Sequence, residues 1–350
     1  MELALYHPEL GYYASGAAQI GRNGDFYTNV SVGNGFGQVL ASQFEEMWER
    51  LEKPAEFVIV EQGAHDGHLA NDILATVSGP FSDALRYRIV EPAAALRERQ
   101  EITLQERSVA WFDRMEDVPA FEGVHFSNEL VDALPFHLVE SQGDDWAELL
   151  VSGDAESFSF LRSPLPTILS QPSLPTRPQG HLLELRPLAD QWLDSVAARL
   201  TAGFILVVDY GYPREQLRAP HRSRGTFACF QKHRRDDLVL ETPGEKDITS
   251  HVDFTSLAEH ARRIGLDWAG FTDQHHFMVG AGEPLLRSLE GRIAEPAARK
   301  TLRAMQTLLH PESMGTQFHY LAFSKNTSGA GLRGFRYERG PKSLSLEIEH

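Results

Sequence analysis

Residues 57–67, Phe57-Val58-Ile59-Val60-Glu61-Gln62-Gly63-Ala64-His65-Asp66-Gly67, decide the fold. The apolar run Phe57–Val60 has the length and β-branched content of a buried strand. It ends in an acid, Glu61, and two glycines, Gly63 and Gly67, ahead of a helix-like stretch, His68–Val77. Strand, glycine-bearing turn and helix make half of a nucleotide-binding βαβ unit. The turn lets a ligand approach the backbone, and the helix N-terminus offers free N–H groups. A second apolar strand, Tyr87–Val90, ends in Glu91, 30 residues after Glu61. An acid at the tip of the second strand is placed to accept hydrogen bonds from both hydroxyls of a ribose. The pair points to a cofactor that contains adenosine.

What the turn lacks narrows the choice. A dinucleotide fingerprint requires G-x-G-x-x-G and an acid about 20 residues on. The turn here reads Glu61-x-Gly63-x-His65-x-Gly67. That is closer to the E-x-G-x-G-x-G turn of S-adenosylmethionine (SAM) methyltransferases, with His65 at the middle glycine. An ordinary strand–turn–helix with a chance pair of glycines is the plain alternative. His, Asn and Asp are the non-glycine residues most often found at positive φ. The turn can therefore survive the replacement, and His65 reads as a tolerated variant rather than a catalytic base.

With 350 residues, 42% of them hydrophobic, the chain can bury a large core as one domain with an insertion or as two domains. A formal net charge of −16 speaks against nucleic-acid binding, which needs Lys and Arg on phosphates. The single cysteine, Cys229, excludes an internal disulfide and a cysteine-cluster zinc site, and fits a reducing compartment. Met1–Pro8 has neither the basic nor the apolar region of a signal peptide. The apolar runs at 57–60 and 204–208 fall far short of the roughly 20 residues a membrane span needs. A soluble, cytoplasmic protein without membrane insertion is expected. Adjacent His275 and His276 do not share a helix face, so no metal is expected.

Along the chain, Phe36–Leu51 reads as an amphipathic helix, with Phe36, Leu40, Phe44, Met47 and Leu51 on one face. Helix 93–106 and strand 123–127 continue an alternating pattern. Strands at 136–140, 146–152 and 158–162 and a Pro-rich stretch, 163–178, then read as an antiparallel insertion at about 136–185. Helix 189–200, strand 203–209, helix 254–264, strand 266–271, helix 299–309 and strand 316–324 resume the α/β texture. Residues 326–350 are Gly/Ser-rich and charged and read as a flexible tail.

A set of short segments runs along nearly the whole chain. They are Leu5-Tyr6-His7-Pro8-Glu9-Leu10-Gly11-Tyr12-Tyr13, Gly24-Asp25-Phe26-Tyr27-Thr28, Phe36-Gly37 and the Glu61–Gly67 turn. Next come Asn128-Glu129 with Asp132-Ala133-Leu134-Pro135, then Asp209-Tyr210-Gly211 and Gly225-Thr226. Pro243–Thr249 and His251-Val252-Asp253-Phe254 complete the set. Together they resemble the MidA family of SAM-dependent methyltransferases, which includes a mitochondrial complex I assembly factor that methylates arginine. The resemblance implies an α/β, Rossmann-like methyltransferase core of seven strands over residues 51–325, a β-rich insertion, and an N-terminal segment, 1–50, covering the cofactor site. It implies SAM as cofactor and a protein with an exposed arginine as substrate. Cofactor contacts are expected from Glu61, Gly63, Ala64, Gly67, Glu91 and Asn128, and from Phe26 and Thr28 of the N-terminal segment. Three positions depart from the family's pattern: His65, Asn29-Val30-Ser31 where Ser-Pro-Glu is usual, and Phe227-Ala228-Cys229 where Leu-Arg and an aromatic are usual.

Methyl transfer from a sulfonium is an in-line displacement, so the protein mainly positions a nucleophile and excludes water. A guanidinium is best held by carboxylates, because its planar fork of N–H donors matches bidentate acceptors. Glu129 and Asp132, just past a strand's carboxyl end, are the candidates for that task, with Asp132 as a turn cap the alternative. Asp247, His251 and Asp253 are candidates for substrate binding, and Asp253 or Thr249 can equally cap the following helix. A second function class stays open: an assembly factor that keeps the methyltransferase fold but has lost turnover.

Overall fold

The computed structural model describes residues 1–15, 29–154, 157–169, 174–231, 234–310, 315–338, 340–344 and 346. Phe26 and Thr28 lie outside the described residues. Four parallel strands come first: β1 (Phe57–Gln62), β2 (Leu85–Val90), β3 (Val109–Phe112) and β4 (Phe121–Asn128). A separate antiparallel sheet follows, built from β5 (His137–Ser141), β6 (Trp146–Gly153), β7 (Phe158–Pro164) and β8 (Leu182–Leu185). Its own small core is Val139, Trp146 and Leu183. The chain then returns to the main sheet with β9 (Leu200–Tyr212), parallel to β4. Three short strands, β10 (Ala228–Gln231), β11 (Arg234–Asp236) and β12 (Asp247–Thr249), form a third sheet. Beyond them lie β13 (Val252–Asp253), β14 (Asp267–Asp273) and β15 (Phe318–Lys325).

Among the described residues the main sheet runs in the order β14-β15-β9-β4-β1-β2-β3, with the two-residue β13 beside β9. β15 is antiparallel to both of its neighbours. The strand order reverses between β1 and β4. In an open α/β sheet, ligands bind outside the carboxyl ends of the strands at such a reversal.

Both faces of the sheet are covered, which explains the unbroken apolar runs of its central strands. Phe57 and Ile59 of β1, and Phe204, Leu206 and Val208 of β9, join one core with Phe36, Phe44 and Met47 of helix Gly35–Arg50. Val58, Val60, Ile205 and Val207 face the other way, against Trp192 and Leu193 of helix Pro187–Arg199 and Leu257 of helix Phe254–Arg263. Each such side chain contributes roughly 1.5–3 kcal/mol on burial.

One expectation needs correction here. Residues 326–350 were expected to form a flexible tail, yet those of them that are described pack onto the protein. Leu332, Phe335 and Leu344 are buried, and Arg333 Nε lies 3.2 Å from Glu46 Oε2. A few apolar side chains scattered through a Gly-rich, charged stretch carry no periodic signal, although each finds a place in the core.

Candidate functional site

A cavity of about 800 Å³ opens at the carboxyl ends of β1, β2 and β4. Its floor is Gly63, Ala64 and His65 of the first turn, and Glu91 stands on one side. Asn128, Glu129 and Asp132 stand on the other, with Asp247 beyond them. Tyr6 and Tyr13 of the N-terminal segment also line it.

The turn is built from three left-handed residues: Gly63 at φ 82°, His65 at φ 46° and Gly67 at φ 80°. His65 thus takes the conformation of the glycine it replaces. Its Nδ1 lies 3.5 Å from Asp66 Oδ1, and its Nε2 is buried with no hydrogen-bond partner among the described residues. Gly67 precedes helix His68–Thr76 and does not line the cavity. A Cβ there would meet Leu104 Cδ1 at 3.1 Å and Gln100 Cα at 3.4 Å, so in place of the expected cofactor contact this glycine packs closely against Leu104 and the backbone of Gln100. Glu61 accepts a hydrogen bond from the Tyr87 hydroxyl at 2.8 Å, and burial pushes its carboxyl up to about 7.

Glu91 is 5% exposed. Its Oε1 accepts from the Ala93 N–H at 2.9 Å and its Oε2 from Gln100 Nε2 at 3.0 Å. Burial raises its carboxyl above the usual range, and these two donors oppose the rise.

The opposite wall concentrates acid. Glu129 sits in the left-handed region at φ 56°, its N–H held by the Val208 carbonyl at 2.9 Å and its Oε1 by Asn128 Nδ2 at 3.0 Å. Behind it, Asp209 is wholly buried and accepts from the N–H groups of Val131 at 2.8 Å, Asp132 at 3.3 Å and Tyr210 at 2.8 Å. Asp247 accepts from the Tyr13 hydroxyl at 2.7 Å. Burial, and then the charges of Asp132 and Asp209, lift Glu129 well above the usual carboxylate range. Asp209 is raised by burial and by Asp132. Asp132 is raised by burial, with Arg186 pulling it back. Two buried acceptors on this wall, Asn128 Oδ1 and Asp132 Oδ1, have no hydrogen-bond partner among the described residues.

Sequence reasoning missed the side chains that hold this wall. Arg186 donates to the carbonyls of Asp132 at 3.2 Å, Leu134 at 3.3 Å, Ser250 at 3.0 Å and His251 at 3.4 Å, and to the Ser250 hydroxyl. Asp209 had a visible signal, the Asp209-Tyr210-Gly211 segment. Arg186 had none, because its partners are backbone carbonyls and one hydroxyl from two distant segments.

Two expected substrate contacts are corrected. Asp253 caps helix Phe254–Arg263 by accepting from the Ser256 N–H at 2.9 Å, and it pairs with Arg214 Nε at 3.2 Å. His251 packs on Tyr212 with ring centroids 5.3 Å apart, and burial and Arg222 push it down to about 4. Neither lines the cavity: Asp253 lies in β13, paired with Tyr212 of β9, and His251 comes just before that strand. Of the three expected substrate contacts, only Asp247 reaches the cavity. Among the described residues no helix is long and apolar enough to cross a membrane.

Comparison with known proteins places this geometry. The family described as "Putative S-adenosyl-L-methionine-dependent methyltransferase" matches residues 39–272. A Burkholderia thailandensis protein, crystallised with S-adenosyl-homocysteine bound, superposes with a TM-score of 0.85 at 30% identity, over 96% of this chain and 89% of that one. The human mitochondrial protein arginine methyltransferase NDUFAF7 is 27% identical, over 98% of this chain and 82% of its own length. Its Drosophila melanogaster homolog is 28% identical, over 95% and 82%. Both relatives are mitochondrial by name, which overturns the expected cytoplasmic placement. A lone reduced thiol fits any reducing compartment and does not tell one from another. With a match over two thirds of its length, this chain belongs to that family of S-adenosyl-L-methionine-dependent methyltransferases.

Proposed function

We propose that this protein methylates an arginine side chain of a protein substrate. One observation carries the reading: a single cavity has an acid, Glu91, at the tip of β2 and a group of acids, Glu129, Asp132 and Asp247, across from it. The relatives named as protein arginine methyltransferases support it. The residues present fit SAM: Glu91 suits a ribose, the left-handed turn brings backbone close, and the orphaned Asn128 Oδ1 suits an amino group. When bound, SAM supplies an electrophilic methyl group on a sulfonium.

Glu129 and Asp132 accept the guanidinium N–H groups and orient one nitrogen toward that methyl group. Their charge compensates the cation in a low-dielectric site, and a carboxylate takes the proton released on transfer. Tyr6 and Tyr13 exclude water from the cavity. Burial and the neighbouring acids favour a proton on Glu129, so an arriving guanidinium drives that proton off and binding is coupled to pH.

The decisive experiment is Glu129→Gln, which keeps size and removes charge. SAM affinity stays within about twofold, while turnover on arginine-bearing peptides falls by on the order of a hundredfold. Full activity in the Gln variant, or methyl groups found on lysine, defeats the proposal. If the wild type binds SAM and methylates nothing in a co-expressed proteome examined by mass spectrometry, the protein is a scaffold that keeps the cofactor without turnover.

A further inference from the structure

The turn at His65 and the acid Glu91 belong to different strand ends, and one buried side chain joins them. Gln100, on helix Ala94–Thr103, has no exposed surface. Its Nε2 donates to the His65 carbonyl at 2.9 Å and to Glu91 Oε2 at 3.0 Å. Its Oε1 accepts from Trp111 Nε1 at 3.0 Å. An indole N–H can only donate, whereas a carbonyl and a carboxylate can only accept. Only one orientation of the amide therefore satisfies all three neighbours, and Trp111, next to the end of β3, fixes that orientation.

We propose that Gln100 is a positioning residue that sets the two walls of the cofactor pocket as one unit. It holds the Glu91 carboxylate in a single rotamer, with its remaining lone pairs free for the ribose. It also pins the carbonyl of His65, the one residue of the turn that adopts the left-handed region without being glycine. Such a backbone persists only where its surroundings over-determine it. A freely rotating Glu91 would accept from the ribose with less gain, since ordering it on binding costs entropy. The inference rests on the reading of Glu91 as the ribose acid.

A thermodynamic cycle separates positioning from packing. The ligands are S-adenosyl-homocysteine and its 2′-deoxyribose analogue, titrated calorimetrically into wild type and Gln100→Met, which keeps the volume and removes the hydrogen bonds. Wild type prefers the full ribose by at least tenfold, the scale of a hydrogen bond to a charged group. In Gln100→Met that preference shrinks below about threefold. Gln100→Leu likewise removes all three hydrogen bonds at similar size, so it shows the same shrinkage and serves if the Met variant does not fold. If both ligands weaken together and the tenfold preference survives, Gln100 only packs and the proposal is overturned. If wild type itself binds both ligands equally, the ribose reading of Glu91 fails first and this inference falls with it.

Discussion

At the scale of single residues, the cofactor turn makes its sharpest statement at His65. Two costs nearly cancel there. A non-glycine residue in the left-handed region is strained by about 1–2 kcal/mol, and glycine costs about 0.5–1 kcal/mol in chain entropy. The buried Nε2 has no partner to lose among the described residues. His65→Gly is therefore expected to change unfolding free energy by less than about 1 kcal/mol and to bind SAM as well as wild type or better. An outright loss of affinity in a folded variant would show that the imidazole touches the ligand. Glu91 is the contrasting case. Glu91→Ala removes an acceptor for the ribose, and each hydrogen bond to a charged group is worth about 1.5–3 kcal/mol. SAM affinity should drop at least tenfold, and calorimetry on the folded variant checks it.

At the scale of elements, the acid wall depends on a clasp between the segment after β4 and the segment before β13. Arg186 makes it, by donating to four carbonyls and a hydroxyl. Arg186→Met fills similar space and takes the guanidinium donor from the carbonyls of Leu134, Ser250 and His251, while that of Asp132 keeps the Ser250 N–H at 3.2 Å. Each unsatisfied buried acceptor costs about 1–3 kcal/mol, so denaturant unfolding should show a loss of at least about 3 kcal/mol. A smaller loss would mean that water replaces the guanidinium. Such a clasp is illegible in sequence because backbone acceptors have no residue identity. The apolar β1 and β9, by contrast, were legible, since burial on both faces leaves an unbroken run. The sheet of β10, β11 and β12 was not, because strands of three or four residues with charged members show no period. Helix Gln274–Ala281 was hidden for the opposite reason: Phe277, Met278, Gly280 and Ala281 are buried on several sides, and the helix has little amphipathic contrast.

At the scale of the whole molecule, buried acid makes stability depend on pH. Glu61 has an ordinary carboxyl near 4.5 when unfolded and one raised to about 7 in the fold. Between those values the folded state keeps a proton that the unfolded state has lost. The stabilisation present below about pH 4.5 is therefore lost as pH rises toward 7. Glu129, Asp132 and Asp209, all raised by burial, contribute with the same sign. Unfolding free energy should fall between pH 5 and pH 7.5, with Glu61 accounting for up to on the order of 3 kcal/mol. Glu61→Gln, which can still accept from Tyr87, should flatten that slope. An unchanged slope would place the titration elsewhere.

The position of β15 bears on how the protein is made. It lies between β9 and β14, so neither of those strands has its final neighbour until the segment ending at Lys325 exists. While the ribosome is still adding residues, the long, mostly apolar β9 is paired with β4, and the stretch that will pair with β15 is still bare. β14 waits with no partner in the sheet. An open, hydrophobic strand edge is a site for pairing with other chains. The half of the sheet that holds the cofactor turn can assemble early from local parallel pairs. The other half closes only after the segment ending at Lys325 has emerged, and that interval is when a nascent copy most needs shielding from its neighbours.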